Sequence, residues 1–253
     1  MSSRPEGTNR APQMRATLVL FKAVLVVLGV GWIGLAGSSI FQPSLRQIAD
    51  RLSRGESYNT DGLRRLISPD ADEAARFCDL KRQRAALLIQ LRVATDSIQQ
   101  ADIRYLDRDV GDVSNRAREL LQCSPTDGLA WLGMYWGEIY QGGMGPKALA
   151  YLAQSYHFAP HEALIQLFRA PLALRSSRSL SEALQNAAVA DFDDIFRARL
   201  YPSAALIYKS SAAEMRTVLL DRTCSYPAEP RLVFRHYLNE QGLAVQHRCY
   251  PDG

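Results

Sequence analysis

The sequence predicts an all-α fold, and three observations carry that prediction. Beyond residue 60, apolar residues recur three and four positions apart, the spacing that lines one face of a helix. Helix start and stop signals stand between these runs, with Ser, Asp or Pro at the openings and Gly near an end. Alternating apolar and polar residues, which a half-buried strand needs, are nearly absent; Leu243–Cys249 is the one candidate.

Taken in order, the elements begin with Leu45, Ile48, Ala49 and Leu52, a short amphipathic helix inside an expected stalk at 42–60. Asp70 with Glu73 and Ser179 with Glu182 form pairs of the capping-box type. Pro69, Pro146, Pro160 and Pro202 stand at or near first helical positions, where the missing N–H costs nothing. Leu80, Leu87, Leu88, Leu91 and Ile98 mark a long helix around 73–99, and Leu106 to Leu121 continue the rhythm to Cys123. Helices follow at 128–140 and from Pro146. An apolar block from Leu164 to Leu174 is broken by Pro171. A helix begins at Leu180–Leu184, and Phe192, Ile195, Phe196 and Leu200 lie at helical spacing; one more helix carries Ala205 to Leu219. A last helix at 229–241 is closed by Gly242, and an extended tail is pinned back by Cys249. Seven to nine helices are expected.

Composition bounds the class. Hydrophobic residues make up 47% of the 253 and charged residues 22%, which excludes a largely disordered chain and a multi-span membrane protein. Lys and Arg exceed Asp and Glu by 30 to 26. Arg4, Arg10, Arg15 and Lys22 against Glu6 account for most of that surplus, leaving 26 basic and 25 acidic groups beyond. A nucleic-acid partner, which needs a basic folded domain, is therefore not expected.

Between Lys22 and Arg46 there are 23 positions without a charge. Residues 16–41 are long and apolar enough for a transmembrane anchor. The basic flank puts residues 1–15 in the cytoplasm and residues beyond 42 outside, in the setting of a bacterial inner membrane and periplasm. A cleavable signal peptide ending near Gly34-Leu35-Ala36 is the competing reading, and it too exports the domain.

All four cysteines, Cys78, Cys123, Cys224 and Cys249, lie beyond the anchor. An even count in an oxidising compartment reads as disulfides, here Cys78–Cys123 and Cys224–Cys249, each closing a loop of moderate length. Zinc held by Cys224, His236, His247 and Cys249 competes with this, but its spacing matches no finger or ribbon pattern, and no C-x-x-C occurs. No metal or other cofactor is expected.

The stretch 120–160 carries the most information. Pro125 is followed by Trp131 at six positions and by Gln141-Gly142 ten beyond the Trp; Ala148, Leu152, Ser155 and Pro160 then fall at helical steps. This pattern resembles a degenerate tetratricopeptide repeat. It departs from the family at Met134-Tyr135 and Glu138, and no second copy is convincing at the expected period. The resemblance implies a right-handed helical array in 61–253, because one hairpin cannot bury its own face. Gly133 and Ala148 are expected to let helix 128–140 and its antiparallel partner, which carries Ala148, Leu152 and Tyr156, approach closely.

Catalytic signatures are weak. His157 and His161 are four apart, but Pro160 interrupts them. Asp191, Asp193 and Asp194 read as a solvated helix N-terminus. Ser210 and Ser211 lie in no nucleophile elbow, and Gly142-Gly143-Met144-Gly145 is a turn. The expectation is therefore a binding protein rather than an enzyme. It would be an anchored periplasmic scaffold or adaptor, similar in architecture to accessory proteins of exopolysaccharide and envelope systems. Tyr135, Trp136, Tyr140 and Arg169 are its first candidates for gripping a protein partner or a polysaccharide. A glycan-modifying enzyme using the Asp191, Asp193 and Asp194 acids, or a purely structural subunit, are the alternatives.

Overall fold

The computed structural model describes residues 22, 24–26, 45–53, 58–67, 77–101 and 103–250. The chain divides into two units, 1–44 and 45–253. In the first, Lys22 and Val24 to Val26 are helical and exposed. The expected anchor at 16–41 otherwise lies outside the described residues, as does the Asp70–Glu73 cap. Among the described residues, no helix is long and apolar enough to cross a membrane.

The second unit is built of helices joined by turns, and none of its described residues forms a strand. It opens with α1 (Leu45–Ser53) and α2 (60–67). Then come α3 (Leu80–Gln99), α4 (Ile103–Cys123), α5 (Gly128–Gln141) and α6 (Pro146–Phe158). They are followed by α7 (Ala163–Arg175), α8 (Glu182–Arg197), α9 (Tyr201–Ser210), α10 (Ala213–Thr223) and α11 (Ala228–Glu240). The described residues thus hold more helices than the seven to nine expected.

Neighbours in sequence pack as hairpins: α3 with α4, α5 with α6, and α7 with α8. In addition, α4 packs on α5, and α3, α5 and α7 touch in succession. One side chain fixes that succession. Arg84 of α3 bonds Asp127, whose other carboxylate oxygen caps α5 by accepting from Leu129 N (3.0 Å) and Ala130 N (3.1 Å). The same guanidinium bonds Glu162, the residue before α7. Three helix starts are thereby held to one cation.

α3 is apolar on two sides because it separates two cores. Leu87, Leu91 and Ala94 face the large core that runs to Phe234 and Tyr250. Ala86, Ile89 and Val93 face a smaller one built with Leu45, Ile48, Leu63 and Ile67. This corrects the expected stalk: α1 is buried against α3 and belongs to the domain. A polar knot joins α2, α3 and α4, where buried Asp109 accepts from Arg64 (2.8 Å) and Ser97 (2.6 Å).

Other expectations shift for local reasons. α7 is not broken at Pro171 but runs through it. Proline lacks the N–H that would bond the carbonyl four residues back, yet packing against α5, α8 and α9 holds the helix together. The expected single helix over Ala205–Leu219 is two, parted at Ser211. The Ser210 and Ser211 hydroxyls both bond the Ile207 carbonyl (3.0 and 2.7 Å), capping α9, and Ala212 N then bonds Leu174 of α7 (3.2 Å). The cap of α8 is Ser181, two residues beyond Ser179. Pro160 lies in the turn before α7, whereas Pro146 and Pro202 do open helices.

Gly133 does allow a close approach, but between α5 and α4 rather than between α5 and α6: a Cβ there would sit 3.0 Å from Ala117 Cβ. The α5–α6 approach is made at Gly128, where a Cβ would meet that of Ala159 at 2.3 Å. The Pro125–Trp131 offset has a physical meaning here, since Trp131 Nε1 donates to the Pro125 carbonyl (2.8 Å).

Both disulfides form as paired in the sequence reading, Cys78–Cys123 and Cys224–Cys249. The first joins the start of α3 to the end of α4, and the second ties the tail to α10. Gly242, in the left-handed region at φ +73°, turns the chain out of α11, and Val245 and Tyr250 are buried in the core.

Candidate functional site

The inner faces of α3, α5 and α7 enclose an apolar cleft of about 320 Å³. Each helix contributes a ridge at helical spacing. Leu91, Thr95 and Ile98 come from α3, and Leu132, Trp136 and Tyr140 from α5. Leu167, Phe168, Pro171 and Leu172 come from α7. The Trp136 and Tyr140 rings lie 4.4 Å apart, tilted by 41°; the Trp is buried and the Tyr is 40% exposed. Because Pro171 has no N–H, the Leu167 carbonyl lacks its usual intrahelical donor at this same surface.

Two arginines border the apolar lining. Arg92 also bonds Asp96 one turn on, Nε to Oδ1 2.9 Å. Arg175, in the last turn of α7, is exposed and ion-pairs with no carboxylate among the described residues. The cleft therefore combines an apolar floor, an aromatic pair and an unneutralised cation. That combination suits an amphipathic segment carrying a carboxylate.

Of the four binding candidates read from sequence, Trp136 and Tyr140 line this cleft. Tyr135 and Arg169 do not, and their assignment to a binding surface is corrected. Tyr135 is fully buried, and desolvation pushes its hydroxyl up to about 12. Arg169 is also fully buried and forks onto Asp191 of α8, with Nε to Oδ2 and Nη2 to Oδ1 both 2.9 Å. Its remaining Nη1 donates to the carbonyls of Ser155 (2.9 Å) and Ala159 (3.1 Å) at the end of α6. The guanidinium lies 3.8 Å from the centre of the Tyr156 ring. Arg169 thus clamps α6, α7 and α8 together. Burial pushes Asp191 up and outweighs the pull of Arg169, and burial likewise pushes the Tyr156 hydroxyl well up.

The acid cluster is not at a helix N-terminus. Asp191, Asp193 and Asp194 occupy the last turns of α8, and each has protein partners. Asp191 pairs with Arg169. Asp193 accepts from Arg197 (2.6 Å) and from the Tyr226 hydroxyl (3.0 Å). Asp194 accepts from Gln166 (2.8 Å) and Arg197 (3.1 Å) and meets His161 at 3.2 Å. His157 stacks edge-on against Phe158, on the other side of the turn from His161. Among the described residues, the one group of three or more acidic, Cys and His side chains with metal-ligand proximity is Cys224, His247 and Cys249.

From sequence, Phe168 and Pro171 belong only to an apolar block and Arg175 to a polar loop, and neither they nor Arg92 are assigned to a site. The signal was present in the matching four-residue steps Leu91–Thr95, Leu132–Trp136–Tyr140 and Leu167–Pro171–Arg175. It becomes readable only once the three helices are known to share one side. In comparisons with protein-family models, curated proteins and solved structures, nothing matched this chain.

Proposed function

We propose that this chain is a membrane-anchored periplasmic scaffold or adaptor. Its helical domain, a degenerate array of the tetratricopeptide kind, holds a segment of a partner protein within an envelope polysaccharide assembly or export complex. The observation that carries the reading is the cleft shared by α3, α5 and α7, with its aromatic pair and with Arg175, which ion-pairs with no carboxylate among the described residues. Support for the array comes from the repeated hairpins and from the succession of α3, α5 and α7 along one side. A protein segment is favoured over a glycan because the lining is mostly apolar and holds neither a carboxylate nor more than one amide. Sugar recognition would call for a denser set of carboxylates and amides around the ring stack. Support for the anchor and the compartment comes from the apolar stretch at 16–41, with no charge between Lys22 and Arg46, its basic flank and the four cysteines beyond it.

The test is photo-crosslinking in the cells that make the protein. A photoreactive amino acid replaces Tyr140 in the cleft or, as a control, exposed Leu232 on α11. The expected result is one discrete protein adduct from position 140 only, lost when Arg175→Glu is added. An adduct common to both positions, an adduct indifferent to Arg175→Glu, or a glycan adduct would overturn this use of the cleft.

A further inference from the structure

The tail and the end of α10 bring three metal-binding groups together, remote in sequence from the cleft lining. Cys224, His247 and Cys249 each offer a donor atom within 4.8 Å of the others. The two sulfurs are joined as a disulfide, and His247 Nδ1 lies 3.8 Å from Cys224 Sγ. The opposite ring nitrogen, Nε2, lies 3.4 Å from the Asp221 carboxylate. This is the order found around a zinc-bound imidazole, where a carboxylate on the far nitrogen fixes the tautomer and orients the ring. The other disulfide has a different neighbour, the Gln83 amide at 3.5 Å from Cys123 Sγ.

The tail does not rely on the sulfur–sulfur bond for its place. The Tyr250 and Thr223 hydroxyls bond at 2.6 Å in the interior. Arg231 of α11 donates to the Cys249 carbonyl (2.8 Å), and Arg248 pairs with Asp221 (2.7 Å). Val245 and Tyr250 are 5% and 2% exposed. None of these contacts involves the sulfurs, so breaking the S–S bond removes none of the groups that hold the three donors together.

We propose that the reduced chain binds one Zn²⁺ through Cys224, His247 and Cys249, so that disulfide and metal are alternative fastenings of the same tail. Reduction by a dithiol breaks the S–S bond and forms two S–H groups, while the dithiol closes to its own disulfide. Binding then releases both thiol protons to solvent. The two thiolates balance the ion's charge, and the His247 Nδ1 lone pair is the third ligand, with the Nε2 proton held by Asp221. Water takes the fourth position, as at three-ligand zinc sites generally. The inference stands apart from the reading of the cleft.

The experiment reduces the full-length protein with a phosphine, which becomes its oxide, and titrates it with Co²⁺ as a visible stand-in for zinc. A thiolate-to-cobalt charge-transfer band is expected to saturate at one equivalent. It should persist in Cys78→Ser/Cys123→Ser, vanish in Cys249→Ser, and be absent before reduction. His247→Ala and Asp221→Asn should each weaken binding by roughly tenfold or more. Native mass spectrometry of the reduced, unsubstituted chain with Zn²⁺ should show one bound ion, a readout that needs no variant to fold. No band and no added mass, or a band indifferent to Cys249→Ser or His247→Ala, would overturn the proposal.

Discussion

Replacing Arg169 with Met tests how much of this fold rests on one buried ion pair. The substitution keeps the aliphatic stem but removes the fork onto Asp191 and the donors to Ser155 and Ala159. Breaking a buried pair from one side costs about 3–5 kcal/mol, because the remaining charge is left without compensation. Asp191 can escape that cost by taking up a proton. From an ordinary value near 3.9, doing so at pH 7 costs roughly 4 kcal/mol, at 1.36 kcal/mol per unit, which sets a matching ceiling. The loss of the Ala159 carbonyl's partner adds to it, on the order of 1 kcal/mol.

This mechanism has a pH signature. In the variant, the folded carboxyl sits above its unfolded value. The variant therefore binds one proton more when folded and loses stability as pH rises. Urea unfolding followed by circular dichroism, with the oxidised protein in mild detergent, should show a deficit of about 4–5 kcal/mol at pH 7. Up to about 2.7 kcal/mol of it should return at pH 5, two units of linkage. Asp191→Asn should cost about 2–3 kcal/mol without that recovery, since the orphan is then a guanidinium that cannot discharge. Arg169→Met with Asp191→Leu should cost less than the two singles combined. A deficit under 1 kcal/mol, the same deficit at both pH values, or strict additivity would refute the account.

Five further outcomes follow from the packing. Gly128→Ala should cost about 1–3 kcal/mol in urea unfolding, because its Cβ meets Ala159 Cβ at 2.3 Å, while Gly111→Ala, with nothing within 4 Å, should stabilise α4 by about 0.5–1 kcal/mol. Burial alone would raise the Asp194 carboxyl, but bonds from Gln166 and His161 and the Arg197 charge hold it below its usual range. Its contribution is thus present above about pH 4 and lost on further acidification; Asp194→Asn should cost about 0.5–1 kcal/mol at pH 7, a gap that closes as acid titration passes that point. Arg175→Ala should leave the urea midpoint within about 0.5 kcal/mol of wild type while abolishing the crosslink from position 140. Cys78→Ala/Cys123→Ala opens a 45-residue separation and should cost about 4 kcal/mol by the loop-entropy model.

The sequence was most legible where a signal is local. Caps, helical spacing and the Pro125–Trp131 step located α5 almost to the residue and α6 at its first turn, because each depends on neighbours a few positions away. Cysteine pairing followed from loop lengths. Legibility failed where a distant partner reassigns a residue. Arg169 reads as a surface cation until Asp191, 22 residues on, is seen to bury it. Pro171 reads as a helix break until three neighbouring helices hold α7 together through it. Asp193 and Asp194 read as a start signal, yet they serve Arg197, Tyr226, Gln166 and His161 at a helix end. The same logic explains why two of four candidate binding residues proved to be core. Aromatic and arginine side chains satisfy a core and a binding surface equally well, and only the side on which α3, α5 and α7 meet separates Trp136 and Tyr140 from Tyr135, a neighbour in the same helix. In this fold, then, the residues to test for recognition are exposed ones whose charge meets no opposite charge among the described residues, with Arg175 foremost. Arg169, fully buried and with a partner at each of its three nitrogens, is out of a ligand's reach.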